Sequence, residues 1–224
     1  MKKTDRLRHD VFALPLLASA VLACFAAPAA ADEGVVIVTG TRQATRTALD
    51  SSSPIDVLSA EDLKKSGATD LNSVLARLLP SFNFPRPSVT DTSDAVKPAQ
   101  LRGLSPDHTL VLVNGKRRHT TAILNTNGTQ GRGSAPVDLN AIPLEAIERI
   151  EVLRDGAAAL YGSDAIAGVI NVILKKSSGG EATVGLGQYG EGDGKRSSAG
   201  IHGGIALADQ GWLHLSASWR DQGY

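Results

Sequence analysis

Residues 149–176 read Arg-Ile-Glu-Val-Leu-Arg-Asp-Gly-Ala-Ala-Ala-Leu-Tyr-Gly-Ser-Asp-Ala-Ile-Ala-Gly-Val-Ile-Asn-Val-Ile-Leu-Lys-Lys, and they decide the fold. They hold two runs rich in β-branched residues, a short one at 150–153 and a longer one at 169–174 that is apolar on both faces. Such runs suit strands that are covered on both sides. The glycines between them favour sharp turns or close backbone approach over a helix interior; they are Gly156, Gly162 and Gly168. The sequence therefore predicts two strands joined by a compact connection.

Further strand signals lie upstream of this stretch. Thr109 to Val113 is a β-prone run, and the Asn114-Gly115 pair that follows is a turn signal. Asn tolerates the left-handed conformation that such a turn needs. Ile55 to Val57 predicts another strand, and Pro143 stands where a short helix would begin before Ile147.

Two short helices are predicted between residues 59 and 80. Ser59 and Asp62 form a capping-box pattern that opens a helix ending at Gly67. Asp70 caps a second helix before Pro80, and its apolar residues share one face: Leu71, Val74, Leu75 and Leu78. Strands and helices of this length indicate a small α+β domain.

In their order along the chain, these motifs resemble the plug domain of TonB-dependent outer-membrane receptors. The family's Ile-Glu-Arg-Ile-Glu-Val strand, Tyr-Gly turn and Gly-Val-Ile-Asn strand correspond to 147–152, 161–162 and 168–171. Asn114 replaces the family's usual Asp, and residues 155–158 read Asp-Gly-Ala-Ala where the family often has Gly-Pro-x-Ser. The residues that match the plug signature are Arg102, Gly103, Asn114, Gly115, Arg149, Glu151, Arg154, Tyr161, Gly162, Gly168 and Asn171.

The resemblance covers residues 35 to about 176. It implies an α+β plug domain, with a small mixed sheet and short helices, followed by the first antiparallel strands of a transmembrane β-barrel, truncated. We expect the plug domain at 54–177 and the barrel strands at 178–224.

Plain alternation of apolar and polar residues begins after Lys176. The clearest apolar row is Leu213, Leu215, Ala217 and Trp219, and such rows are typical of lipid-facing strands. A soluble β-sandwich shows the same alternation and is the alternative. Plugged barrels close with about 22 strands of roughly 10 residues each. About three are present here, so we expect a fragment of a longer receptor or a broken gene.

The N-terminus carries the pattern of a secretory signal peptide, which we assign to residues 1–31. Four Lys or Arg precede an apolar stretch of 16 residues, and Ala29-Ala30-Ala31 offers a small-residue cleavage site. A membrane anchor needs roughly 20 apolar residues, and lipoprotein processing at Cys24 fits its lipobox poorly. Cleavage removes that single cysteine, which excludes thiol chemistry, and leaves a net charge of about −2.

Residues 32–53 are interpreted as a TonB box and a flexible tether. Val35, Val36, Ile37, Val38 and Thr39 form a short β-prone strand, and a Thr- and Ser-rich stretch follows. A short strand on such a tether suits pairing with the edge of another protein's sheet; an ordinary first strand is the alternative. Because only Asp32 to Gly34 separate the box from the cleavage site, we expect no signalling domain.

Two polar loops are candidates for ligand contact. Long loops without structure of their own tend to be functional, and apical plug loops help to bind the ligand in the family. The candidate residues are Phe84, Arg86, Arg117, Arg118, Asn127 and Arg132. A solvated basic loop is the alternative for Lys116 to His119.

Other chemistry finds little support in the sequence. The glycine pattern at 185–190 lacks the following helix that dinucleotide binding requires. His108, His119, His202 and His214 show no metal-ligand spacing and are interpreted as solvated or loop residues. We therefore expect no metal, no cofactor and no nucleic-acid partner, and no catalytic motif indicates an enzyme.

The resemblance implies a receptor in the outer membrane that binds a scarce solute and imports it. An iron-siderophore complex is the leading expectation, before cobalamin, another metal chelate or an oligosaccharide. The expected partners are TonB with its ExbB/ExbD complex, outer-membrane lipid and the small-molecule ligand. A soluble periplasmic plug-only module and a non-functional remnant are the alternatives.

Overall fold

The structure is a computed structural model that describes residues 39–40, 53–83, 96–126, 131–155, 157–190, 193–207 and 211–223. The chain divides into Met1–Glu33 and Gly34–Tyr224, and every described residue belongs to the second unit. Several predictions fall outside the described residues: the signal peptide, Val35 to Val38, nearly all of the tether, Phe84, Arg86, Asn127 and Gly156.

Short elements alternate along the described residues. The strands are β1 (Ile55–Ser59), β2 (Phe82–Asn83), β3 (Gln100–Leu101), β4 (Thr109–Val113), β5 (Lys116–Arg117), β6 (Ile147–Leu153), β7 (Gly168–Leu174), β8 (Gly179–Gly187), β9 (Arg196–Leu207) and β10 (Gly211–Gln222). The α-helices are α1 (Ala60–Lys65), α2 (Leu71–Leu78) and α3 (Ala158–Tyr161), and single 3-10 turns lie at Pro106–His108, Leu139–Ala141, Leu144–Ala146 and Ser163–Ala165.

A five-stranded mixed sheet is the centre of the first domain. Its strand order is β1-β6-β7-β4-β5, with β4 and β7 parallel and the other pairs antiparallel. The two strands predicted from 149–176 are β6 and β7, which lie side by side in the middle of the sheet. Every residue of β7 except Leu174 is buried, as expected for a strand covered on both faces.

One face of this sheet packs against α1 and α2 in an apolar core. The buried side chains of this face include Ile150, Val152, Ile170 and Val172, and the helices contribute Leu63, Leu71, Val74 and Leu75. The predicted caps are present, since Asp62 N donates to Ser59 Oγ at 3.2 Å and Ser73 N donates to Asp70 Oδ1 at 2.9 Å. Hydrogen bonds from Ser59 hold the pKa of Asp62 below its usual value.

The other face is partly covered by the connection between β6 and β7. This connection is compact, as predicted, but it contains the one-turn helix α3, which the glycine spacing did not indicate. Gly162 ends this helix at φ 93°. Gly168 begins β7 at φ 140°, where a Cβ would lie 2.5 Å from the Leu153 carbonyl oxygen, so a side chain is excluded at that position.

The last three strands form a separate antiparallel sheet in the order β10-β9-β8. The predicted alternation is present along all three. One row is exposed and apolar, with Val184 81%, Leu186 85% and Leu215 70% accessible, whereas His202 in the opposite row is buried. Gly185 and Gly187 lie inside β8, and the next helix or strand among the described residues is the strand β9. No helix in the described ranges is both long and apolar enough to cross a membrane.

Candidate functional site

The most concentrated polar site lies on the sheet face that α3 partly covers. Register places Glu151 of β6 directly opposite Asn171 of β7, and Asn171 opposite Leu112 of β4. Cross-strand neighbours share a face, so an acid and an amide stand in the middle of an otherwise apolar surface. Glu151 is 0% and Asn171 1% exposed.

Thr39 covers this polar pair. Its backbone N–H donates to Glu151 Oε2 at 2.9 Å, and its hydroxyl donates to the same oxygen at 2.5 Å. Asn171 Nδ2 in turn donates to Thr39 Oγ1 at 2.9 Å. Thr39 is itself only 1% exposed. The last residue of the predicted TonB box is therefore bound on the sheet.

Gly40 continues the same contact. Its N–H donates to the Tyr161 hydroxyl at 3.1 Å, and a Cβ at this position would lie 3.1 Å from Leu153 Cδ2. The chain thus lies close against β6, and its φ of 75° suits glycine. We call the contacts of Thr39 and Gly40 with Glu151, Asn171 and Tyr161 the N-terminal anchor.

Arg149 places a positive charge next to the buried carboxylate of Glu151. Its Nε donates to Glu151 Oε1 at 2.9 Å, while Nη1 donates to Glu148 Oε1 at 2.9 Å. A buried carboxylate is tolerated when it is paired and its remaining lone pairs are hydrogen-bonded. Glu151 meets both conditions, because one oxygen binds Arg149 and the other binds Thr39.

Asn171 connects the anchor to the turn after β4. Its Oδ1 accepts from Gly115 N at 3.1 Å, so the single amide joins this turn to Thr39. Asn114 adopts φ 49° and accepts from Leu174 N through Oδ1 at 2.9 Å. Both residues of the predicted Asn-Gly turn therefore contact β7.

The predicted ligand-contact residues that the structure describes do not form one cluster. Arg117 is engaged by α3 and the turn after it, since its guanidinium bonds the Tyr161 carbonyl at 2.5 Å and pairs with Asp164. The hydrogen bond from Arg117 to the Asp164 carboxylate, with a second from Ser163, holds the pKa of Asp164 below its usual value. Arg118 is half-buried and Arg132 is exposed.

The signature arginines Arg102 and Arg154 lie together at the end of β6. Arg102 Nη1 donates to the Arg154 carbonyl at 3.1 Å and is 3.6 Å from Asp155 Oδ1. Arg154 Nε is 2.9 Å from Asp56 Oδ2. Both side chains remain about two-fifths exposed, at 41% and 42%, so each keeps guanidinium surface for further partners.

A second polar surface joins the mixed sheet domain to the three-stranded sheet. Glu181 of β8 pairs with Lys64 at 2.5 Å and with Lys175 at 2.6 Å. Thr183 Oγ1 donates to Glu145 Oε1 at 3.1 Å, and Arg220 Nη1 donates to the Thr69 carbonyl at 2.8 Å. A cavity of about 380 Å³ lies between these contacts.

One interpretation from the sequence is wrong. His202 and His214, expected to be scattered and solvated, stack with ring centroids 5.2 Å apart, and His202 is only 7% exposed. His214 Nδ1 is 3.2 Å from His202 Nε2, and His202 Nδ1 is 2.8 Å from Ser216 Oγ. Both belong to the polar rows of adjacent strands, which was the available signal, but their proximity requires the β9–β10 register. No group of three metal-ligating side chains occurs in the described ranges.

The geometry defines a class of protein: a small mixed-sheet domain that anchors its own N-terminal segment and precedes strands with an exposed apolar row. The model of the TonB-dependent Receptor Plug Domain matches residues 47–169, which is more than half of the chain. The chain therefore belongs to this family, as the motifs indicated.

The relatives agree with this assignment. The chain is 31% identical over 198 residues to the ferric enterobactin receptor of Pseudomonas aeruginosa, a match that covers 84% of this chain and 26% of that protein. It is 34% identical over 125 residues to the ferrienterobactin receptor of Escherichia coli, covering 56% and 17%. The chain thus spans about a quarter of the length of the first of these relatives.

Solved structures confirm the fold class. The siderophore receptor PirA from Acinetobacter baumannii matches with a TM-score of 0.55 and 27% identity, over 77% of this chain and 25% of that one. The ferric citrate transporter FecA, at 24% identity and a TM-score of 0.59, shares the fold over 78% of this chain. The relatives named here are receptors and transporters. The boundaries at residues 31, 53 and 177 stay predictions.

Proposed function

We propose that this chain is the N-terminal part of an outer-membrane receptor that imports a ferric siderophore with energy supplied through TonB. The plug domain closes the path for the solute, and residues 178–224 begin the surrounding barrel wall. The proposed partner that supplies mechanical work is TonB with its ExbB/ExbD complex.

The observation that carries this proposal is the apolar row on β8, β9 and β10. Its large members are exposed: Val184, Leu186, Ile201, Ile205, Leu213, Leu215 and Trp219. Water disfavours a continuous apolar surface of this kind, whereas bilayer lipid covers it. The opposite row supplies the contacts with the plug domain through Glu181, Thr183 and Arg220. Such a sheet suits a wall between lipid and plug.

The siderophore class is supported by the relatives. The Pseudomonas aeruginosa and Escherichia coli proteins carry ferric enterobactin in their names, and the Acinetobacter baumannii structure is of a siderophore receptor. The exposed Arg132 and the half-buried Arg118 are candidates for contact with an anionic chelate. Phe84, Arg86, Arg117 and Asn127 remain candidates from the sequence alone.

The TonB partnership is supported by the position of Val35 to Thr39. A β-prone strand can add to the edge of a partner's sheet, and main-chain hydrogen bonds then supply the affinity. Thr39 is bound by the plug, so a pull applied to this strand acts on the plug sheet through the N-terminal anchor. This route needs no bond-making chemistry in the chain.

Uptake of radioactive ferric enterobactin tests the proposal in a complete receptor that carries this chain at its N-terminus. Ile37→Pro removes one main-chain donor of the predicted box, and we expect uptake to fall at least about tenfold while surface binding of the siderophore is kept. Ala44→Pro, in the predicted tether, is the control and should transport normally. Undiminished uptake by the Ile37→Pro receptor would contradict the TonB assignment.

Fractionation tests the location independently. The account expects the receptor to be extracted from the outer membrane only with detergent, because its apolar row is covered by lipid. Recovery of the folded receptor in the soluble periplasmic fraction would contradict it and favour a plug-only binding module.

A further inference from the structure

We propose that His202 and His214 together bind one divalent transition-metal ion, of the Zn²⁺ or Cu²⁺ type, on the side of the three-stranded sheet opposite its exposed apolar row. The proposal goes beyond the proposed function, because side chains of this chain hold the ion and it is not the imported solute. Imidazole nitrogens are ligands that such ions prefer. The two rings come from adjacent strands, so a shared ion joins β9 to β10.

The facing ring nitrogens have the separation of two ligands of one ion. His214 Nδ1 lies 3.2 Å from His202 Nε2. An ion about 2.1 Å from each nitrogen, the usual Zn–N bond length, would bind them at an angle of about 100°, close to the tetrahedral value of about 109°. A single hydrogen bond between the rings gives the same separation and is the alternative.

Ser216 supports the tautomer that metal binding needs. His202 Nδ1 lies 2.8 Å from Ser216 Oγ, and the strand register places these two residues opposite each other. When Nδ1 donates to the hydroxyl, Nε2 keeps its lone pair on the side of His214. A metal-binding histidine commonly donates its other ring nitrogen to an oxygen in this way. His202 is only 7% exposed, so its ring is also held by packing.

The ring of His214 is held by Gly204 and Trp212. A Cβ on Gly204 would lie 2.4 Å from His214 Cε1 and 2.6 Å from its Nδ1, so a side chain at residue 204 would displace the ring. Trp212 meets the same ring at an angle of 70°, with centroids 5.0 Å apart. Both imidazoles are therefore positioned before an ion arrives, which lowers the entropic cost of binding.

One nitrogen of His214 is unsatisfied. His214 Nε2 is buried and has no hydrogen-bond partner among the residues that the structure describes. Buried polar atoms are nearly always satisfied, and an exception points to a bound water or ion. This observation is independent of the distance between the rings. It indicates that a group other than the described side chains completes the surroundings of His214.

The charges around the histidine pair do not exclude a cation. Glu181 of β8 lies opposite His202, and its carboxylate pairs with Lys64 and Lys175. Glu145 is a second carboxylate that acts on His202. Two carboxylates thus balance two ammonium groups, and neutral imidazoles add no charge. Because the described ranges hold no group of three metal-ligating side chains, water fills the remaining positions around the ion.

Binding of Cu²⁺ to the full chain in detergent tests the site. Nitrogen ligands bind Cu²⁺ tightly, and its electron paramagnetic resonance spectrum counts the coordinated nitrogens. Every chain carries Cys24→Ser, which removes the single thiol, and no histidine tag. His202→Asn and His214→Asn each remove one ligand. His119→Asn is the matched control, because it replaces an exposed histidine outside the three-stranded sheet.

The parent should bind Cu²⁺ through two imidazole nitrogens. His202→Asn and His214→Asn should each bind at least about tenfold more weakly and lose the two-nitrogen spectrum, whereas His119→Asn should match the parent. Ser216→Ala keeps both ligands but loses the hydrogen bond to His202, so its affinity should fall about tenfold with two nitrogens still coordinated. Circular dichroism checks that each chain is folded.

Equal affinity in the parent, His202→Asn and His214→Asn chains would overturn the metal site. A parent spectrum with fewer than two imidazole nitrogens would overturn it as well, even if both variants fold poorly, and would favour the hydrogen bond between the rings. Unchanged affinity in Ser216→Ala would overturn the positioning role of Ser216. These outcomes are distinguishable from failure of the proposed function, which the uptake of ferric enterobactin measures separately.

Discussion

On one face of the plug sheet, Ile150, Val152 and Ile170 pack beneath α1 and α2 in an apolar core. On the other face, alternate positions of the same strands carry Glu151 and Asn171, which bind Thr39. The named side chains on both faces are buried, but the contacts of the two faces are stabilised by different interactions. Apolar burial is non-directional and distributed over many side chains, whereas the anchor depends on a few directional bonds to one carboxylate.

This difference separates stability from release. A defect in the apolar face weakens the domain, because α1, α2 and the central strands of the mixed sheet pack together in that core. A defect in the polar face frees the N-terminal segment and leaves most of the fold intact. We therefore expect the plug to stay folded when the contacts of Thr39 and Gly40 are broken.

The largest expected effect comes from the apolar face. Leu75 of α2 is 0% exposed, and Leu75→Ala should lower the free energy of unfolding by about 2–5 kcal/mol. Denaturant titration of the full chain measures the loss, and the half-buried Leu78→Ala should lose less. In the Leu75→Ala chain that remains folded, the Thr39 amide should stay protected from hydrogen exchange, because its bonds to Glu151 lie on the other face. Loss of that protection at Thr39 alone would break the distinction between the two faces.

Asn171→Leu removes the amide that joins Thr39 to Gly115. Gly115 N and Thr39 Oγ1 then each lose a hydrogen-bond partner, and each lost bond should lower the free energy of unfolding by about 0.5–1.5 kcal/mol. The neighbouring control is Ile170→Val, on the apolar face, which should lower the free energy of unfolding by about 0.5–1.5 kcal/mol. Hydrogen exchange should show faster opening near Thr39 only in the Asn171→Leu chain. Equal exchange in both chains would remove Asn171 from the anchor.

The turn after β4 should show a smaller effect. Asn114 has φ 49° and accepts a hydrogen bond from Leu174 N. Asn114→Ala loses this bond and strains the backbone, so it should lower the free energy of unfolding by about 1–2 kcal/mol. Asn114→Asp keeps the acceptor and should be nearly neutral. Thermal unfolding of the two chains distinguishes them, and identical midpoints would show that the side-chain acceptor is dispensable.

The smallest effect concerns α1 and pH. Ser59 lowers the pKa of Asp62 in the folded chain, so the ionised carboxylate stabilises the fold above the unfolded Asp pKa of about 3.9. This contribution is lost as the pH falls through the still lower folded pKa. Because the site is solvated, we expect this contribution to stability to be only about a few tenths of a kcal/mol. The stability difference between the parent and Asp62→Asn should shrink below pH 4, and a constant difference would contradict this.

The sequence predicted features that depend on neighbouring residues. β6 and β7 follow from local β-branched runs, and the α1 cap follows from Ser59 and Asp62, three positions apart. The anchor joins Thr39 to Glu151 across 112 positions, so no local pattern indicated it. Glu151 was recognised only as part of a family signature, and its partner Thr39 is remote from it in the sequence.

The two histidines illustrate the same limit. Alternation along β9 and β10 assigns His202 and His214 to polar rows, but their contact depends on the strand register. The helix α3 was missed for another reason, since four residues are too few for a periodic signal.

Amide hydrogen exchange at Thr39 tests the central claim most directly. Its N–H is buried and bonded to Glu151, so exchange in the parent chain should be slow, and in Glu151→Gln at least roughly tenfold faster. The β7 amides should be equally protected in both chains. Fast exchange of Thr39 in the parent, or an unchanged rate in Glu151→Gln, would contradict the account.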